Sequence, residues 1–235
     1  MKNKRQHRGG FTLVELLVVI VIIAALAGLS LPVIMKNKKA ADKTEAISNA
    51  KQIGISLFEF DTEYGSFPDN NTGEDVKEAT GTSLNFGGTF SNDYFRQLIA
   101  TGLKSEKIFW CKTAETTKKP DDNFGPGKAL EPGEVGYGYI MANQTDGQGS
   151  SGEPNRPVVV SPLYKAQPNW EFDPEPFGDM AIVLRLDSSA RAERIREDNR
   201  YISIKGGRYL QTTGEDTPWG TDLDPTLRAP QVRGK

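Results

Sequence analysis

Between Leu16 and Met35 the chain runs 20 residues without a charge. At about 1.5 Å of helical rise per residue that stretch is about 30 Å long, the thickness of one bilayer hydrocarbon core. Its first part, Val18-Val19-Ile20-Val21-Ile22-Ile23, is β-branched and in water would favour a strand. In lipid the backbone must satisfy its own hydrogen bonds, so a helix is expected instead. Ala24, Ala25, Ala27, Gly28 and Ser30 follow, small residues that let neighbouring helices approach closely. Pro32 withdraws one helical N–H and is expected to kink or locally melt the helix.

Extended back to Phe11, the apolar segment holds a single charge, Glu15. A carboxylate in an apolar span costs roughly 2.5–3.5 kcal/mol on insertion scales, so it marks a functional position. Ahead of the span lies a short basic segment with Lys2, Lys4, Arg5 and Arg8 and no acid, ending in Gly9-Gly10. A secretory signal has a shorter apolar core followed by small residues, for which Ala25-Leu26-Ala27 would serve. A plain single-pass anchor explains the length and the basic flank. Neither explains a glycine pair directly before Phe11, nor Glu15.

The segment Gly9-Gly10-Phe11-Thr12-Leu13-Val14-Glu15 resembles the class III signal of type IV pilins and type II secretion pseudopilins. The resemblance implies that a prepilin peptidase cuts after Gly10 on the cytoplasmic side and methylates the new amine of Phe11. It also implies that Glu15 faces the Phe11 ammonium of a neighbouring subunit in an assembled helix bundle. A buried charge is tolerable only when paired, so the pair would set register more than add net stability. Residues 1–10 are then the leader, 11–35 the transmembrane and assembly helix, and 36–235 a periplasmic domain. Implied partners are other pilin or pseudopilin subunits, the peptidase and an inner-membrane assembly platform. The basic leader fits a cytoplasmic N-terminus. Lys36, Lys38 and Lys39 beyond the span blunt that charge argument, so the topology leans on the resemblance as well.

Composition closes much of the remaining space. Without the leader, 25 Lys and Arg face 31 Asp and Glu, a net charge of −6, which argues against general nucleic-acid binding. The one histidine is His7, in the leader, so Ser-His-Asp and Cys-His catalysis are excluded from the processed chain and zinc is disfavoured. No carboxylate spacing singles out a catalytic pair, and an enzyme is not expected. Cys111 is alone, so no intrachain disulfide forms, and it is expected to be a buried, inert thiol.

After the span, Ala46, Ala50, Ile53, Leu57, Phe60 and Tyr64 repeat at intervals of three and four, an amphipathic stripe that Ile47, Gly54 and Phe58 widen. The helix over 36–64 should stop at Gly65. Glu63-Tyr64-Gly65-Ser66-Phe67-Pro68 resembles the helix exit of type II secretion pseudopilins. Residues 69–88 read as a polar loop, and Asn92 as the cap of a helix over 93–101. Ile108-Phe109-Trp110-Cys111 should dock on the long helix. Residues 118–133, 144–155 and 167–178 read as loops or connections. Strands are expected over 136–141, 157–161, 180–187, 190–196 and 201–204. Ser188-Ser189 makes the turn between the third and fourth of these, where related proteins often carry Asp-Gly. Leu184, Leu186, Ala190, Ala192 and Ile195 supply a core face. The fold expected is α+β: a long N-terminal helix packed on a small antiparallel sheet with long loops, a plan the pilin family shares.

Two further regions carry alternatives. Thr217-Pro218-Trp219-Gly220 resembles the Pro-Trp-Gly element of major type II secretion pseudopilins, near which an acidic loop can bind calcium. Asp216, Asp222 and Asp224 form either a Ca²⁺ site or a solvated acidic loop; no other cofactor is expected. Asp69, Glu74, Asp75, Asp121 and Asp122 read as surface charge. Trp170, Phe172 and Phe177 either make an exposed patch or pack under a loop. The sequence therefore points to a filament subunit. The competing reading is an uncleaved, membrane-tethered binding domain for carbohydrate or cell-wall polymer, built on Trp170 and Trp219.

Overall fold

The computed structural model describes residues 12–234 and divides the chain into two units at Lys39/Ala40. Helix α1, Leu13–Tyr64, is continuous and contributes to both. In the first unit its apolar side chains from Leu13 to Met35 are exposed. The helix is long and apolar enough to cross a membrane, with a mean hydropathy of 2.9 in its most apolar window. Ser30 returns its hydroxyl to the Leu26 carbonyl at 2.7 Å, which leaves no polar group for lipid to satisfy there. The helix passes through Pro32 without a break.

In the second unit the stripe of α1 behaves as its spacing predicts. Ala46, Ala50, Ile53, Leu57 and Phe60 are buried, and Tyr64 stacks on Phe60 at 4.6 Å. Phe58 does not widen the stripe; it points outward and is 54% exposed, as Ile55 is on the same side. Gly65 ends the helix at φ 81°, its N–H donating to the Asp61 carbonyl. Residues 69–88 are not all loop. Asn70–Thr80 forms helix α2, which buries only Val76 among its larger apolar residues and so shows little periodicity. Its stability comes from its cap instead. Asp69 Oδ1 accepts from Thr72 N–H at 2.8 Å, while Asp69 N–H donates to Thr72 Oγ1 at 2.8 Å. Asp69 is therefore buried capping charge, not surface charge.

Helix α3 is Ser91–Ala100. Asn92 lies inside it rather than capping it: its amide donates to the Leu130 carbonyl and its Oδ1 accepts from Gln231 N–H. Asp93 does the capping, accepting from Thr89 and Phe90 N–H. A single 3₁₀ turn over Lys107–Phe109 docks on α1 as expected. Asn49 donates to the carbonyls of Lys107 and Trp110, and Phe109 stacks on Phe95.

The main sheet is antiparallel, built from β1 Gly138–Met141, β2 Pro157–Ser161, β5 Met180–Arg185, β6 Ala190–Arg194 and β7 Thr226–Arg228, in the order β6-β5-β2-β1-β7. β3 Leu163–Lys165 and β4 Glu171–Phe172 pair separately, so the 167–178 connection contains a short strand. Strand β7 lacks a signal of its own, having three residues and one apolar side chain, Leu227. The 201–204 stretch forms only isolated bridges, Ile195–Ile202 and Ser203–Tyr209.

Both faces of the sheet are buried. Tyr139, Met141, Ile182 and Leu184 face the α-helices; Ile140, Val160, Ala181 and Val183 face a second core with Trp170, Phe172, Ile202, Leu210 and Trp219. Leu186 and Ala190 join the helix-side core with Ala192 packed against it, but Ile195 belongs to the second. Tyr137 and Tyr139 tie the sheet to α1 and its exit, donating to the carbonyls of Ala46 (2.7 Å) and Pro68 (2.9 Å).

At the β5–β6 turn three residues, Leu186, Asp187 and Ser188, lie between the hydrogen-bonded Arg185 and Ser189. Ser188 N–H donates to the Arg185 carbonyl, Arg185 N–H to the Ser189 carbonyl, and Ser188 sits at φ 60°. This is a type I turn closed by a left-handed residue, not a two-residue type I′ turn. A side chain in that region costs about 1 kcal/mol, so Ser188→Gly should stabilise the domain by about that amount. Chemical denaturation checks it; an unchanged midpoint would contradict the reading.

Candidate functional site

Gly9, Gly10 and Phe11 lie outside the described residues. The first described feature is the start of α1, and Glu15 sits at its third helical position. The backbone N–H and the hydroxyl of Thr12 both donate to Glu15 Oε2, at 2.8 and 2.7 Å. Glu15 N–H returns to Thr12 Oγ1 at 3.3 Å. This is a capping box, and the spacing Thr12-Leu13-Val14-Glu15 signals it in the sequence. The carboxylate thus has a partner within its own chain. Both donors fall on the same oxygen, leaving Oε1 open for another.

The acidic loop near the C-terminus is less ordered around a centre. Asp216, Asp222 and Asp224 are exposed, and Asp222 accepts from its neighbour Thr221. They do not converge. Among the described residues the one trio whose carboxylate oxygens lie within 4.8 Å of one another is Glu106, Asp121 and Glu134. That trio carries its own cation. Lys118 Nζ lies 3.1 Å from Asp121 and 2.9 Å from Glu134, and also pairs with Glu131. Glu131, Glu134 and Asp121 hold the Lys118 ammonium above its ordinary range, and Lys118 in turn pulls Glu131 and Asp121 down. Glu134 is fully buried, and desolvation outweighs the ion pair, so its carboxyl is pushed up. Asp121 is exposed, but Asp122 is structural: its Oδ1 accepts from Glu106 N–H at 2.8 Å.

Cys111 is buried and burial pushes its thiol up to about 12, leaving it unreactive at neutral pH. Trp170, Phe172 and Phe177 pack under the loops and are all buried. Trp219 is also buried. It meets Trp170 edge to face at 6.0 Å, and its Nε1–H donates to the Leu210 carbonyl. Neither tryptophan offers an exposed stacking face.

The model of the prokaryotic N-terminal methylation motif matches residues 5–31. Type II secretion system core protein G of Pseudomonas aeruginosa is 34% identical over 148 residues, 62% of this chain and 89% of that protein. The chain belongs to the type II secretion system core protein G family, the pseudopilins. The Escherichia coli core protein G is 42% identical over 73 residues, 30% of this chain and 49% of its own length. A fimbrial protein of Neisseria meningitidis is 37% identical over 71 residues, 30% of this chain and 42% of its length. The chain spans about half the length of the first core protein G relatives it matches. No solved structure matches. The pseudopilin family accords with the architecture, a long N-terminal helix on a small antiparallel sheet.

Proposed function

We propose that the chain is a structural, non-catalytic subunit of a type II secretion pseudopilus or a type IV pilus-like filament. Prepilin peptidase cuts after Gly10, Phe11 is N-methylated, and the subunit waits in the inner membrane with its C-terminal domain in the periplasm. The assembly platform then adds it to a filament of related subunits. The observation that carries this reading is the methylation motif that runs into an apolar span, with Glu15 as the span's single charge in the first helical turn. The capping geometry suits the role. Thr12 occupies Glu15 Oε2, so Oε1 can take the Phe11 ammonium of a neighbour without the helix start losing its cap.

Mass spectrometry of the N-terminal peptide, from protein extracted from its native membrane, tests processing. N-methyl-Phe11 as the first residue is expected; a retained residue 1–10 segment in cells with active peptidase would favour a tethered domain. Glu15→Ala should leave membrane insertion intact and cut the sheared-filament fraction by about tenfold or more, since an unpaired buried charge costs about 3–5 kcal/mol. Wild-type filament yield from Glu15→Ala would remove the register role.

A further inference from the structure

The face of the sheet turned away from α1 carries a cavity of about 550 Å³. One wall is Thr217, Pro218 and Gly220, and Ile202, Ile204, Leu210 and Pro218 supply its apolar lining. Arg156 is fixed against that wall. Its Nε–H donates to the Pro218 carbonyl at 2.9 Å, and Gly152 makes room for Nη1, which a Cβ there would meet at 3.1 Å. No carboxylate pairs with the Arg156 guanidinium among the described residues, although Glu153 and Asp216 line the same cavity. Opposite, Arg185 Nη2 pairs with Glu193 Oε1 at 2.9 Å, leaving Glu193 Oε2 and Arg185 Nη1 with hydrogen-bonding capacity. Ser203 adds a hydroxyl at the edge.

The lining therefore interleaves donors (Arg156, Arg185, Ser203) with acceptors (Glu153, Glu193, Asp216) around an aliphatic floor. A polyanion would meet three carboxylates there, and a polycation two guanidiniums. A neutral ring whose hydroxyls both donate and accept, with a C–H face for the floor, meets neither. We propose that this cavity is a saccharide-binding site, with Arg156 and Glu193 as its principal hydroxyl contacts. The proposal is independent of the filament reading, because it rests only on the second face of the sheet.

The test is NMR titration of the isotope-labelled full chain in a phosphocholine detergent, which carries no sugar, with cellobiose and with di-N-acetylchitobiose. Saturable shifts are expected at Arg156 Nε–H, Ile202 and Leu210 with at least one of the two, at millimolar concentration. Arg156→Leu should weaken that binding on the order of tenfold or more while the Trp219 Nε1–H resonance, which reports the core, stays in place. If Arg156→Leu disturbs that resonance, Ser203→Arg, at an exposed edge position, should block the same shifts. Absent or non-saturating shifts with both sugars would overturn the proposal. So would tighter binding of sulfate or of a glycine dipeptide at the same residues, or retained affinity in both variants.

Discussion

Glu106→Ala is expected to cost the domain about 3 kcal/mol, the largest loss we anticipate from one side chain outside the apolar cores. Glu106 is fully buried, and its two oxygens are both used: Oε2 accepts from Asp122 N–H at 2.9 Å and Oε1 from Leu130 N–H at 2.8 Å. Asp122 answers by accepting from Glu106 N–H. One carboxylate thus closes the 106–134 loop at two points. Truncation strands two backbone donors, each costing about 1–3 kcal/mol when unsatisfied, while relief of the buried charge returns part of that. In a domain of this size the midpoint of thermal unfolding should fall by about 6–12 °C. Glu106→Gln keeps one acceptor oxygen and should lose about half as much. Circular dichroism of the full chain in detergent gives both numbers. Equal losses from Ala and Gln would show that the charge and not the two amides matters, and a negligible loss from Ala would refute the pinning role altogether.

The second large effect has the opposite direction. Glu115→Gln should stabilise the protein by about 2 kcal/mol at pH 8 and change nothing below pH 4. Glu115 Oε2 is buried without a hydrogen-bond partner among the described residues. Burial, with Asp173 nearby, pushes its carboxyl from 4.5 to about 7. The folded chain therefore keeps this proton up to about pH 7, whereas the unfolded chain releases it near 4.5. Between those values the folded state binds more protons, so stability falls as pH rises and the deficit stays constant above pH 7. At about 1.4 kcal/mol per pKa unit the full penalty is about 3 kcal/mol, and partial access of water to the side chain reduces it to about 2. Gln carries no charge to desolvate and escapes the penalty. Urea denaturation at pH 4, 6 and 8 should show the two proteins diverging as pH rises; parallel curves would place Glu115 in water.

Residue by residue, local pattern was enough where one element makes its own case. The charge-free run, the glycine pair before Phe11 and Glu15 pointed to the pseudopilin family, and the three-four spacing from Ala46 to Tyr64 marked the face of α1 that is buried. Gly65 ended the helix because a left-handed position there needs no Cβ. Those signals lie within a few residues of one another, so the chain displays them without its fold.

Tertiary structure decided what depends on partners far along the chain. α2 hides in a polar stretch because a cap and the Gln97 contacts, not a hydrophobic face, hold it: Thr72 Oγ1 donates to Gln97 Oε1 and Gln97 Nε2 to the Asp69 carbonyl. Trp170 and Trp219 are buried because the loops after β3 and β6 fold back as a second layer, a fact no spacing encodes. Asp121 reads as a surface acid until folding brings Lys118 between it and the buried Glu134. The sequence by itself determined the apolar run, the N-terminal methylation motif and the buried face of the long helix, since period and charge are local. Which polar groups are buried, which carboxylates are paired and where a cavity opens were decided only by the fold, because burial and pairing are properties of neighbours in space.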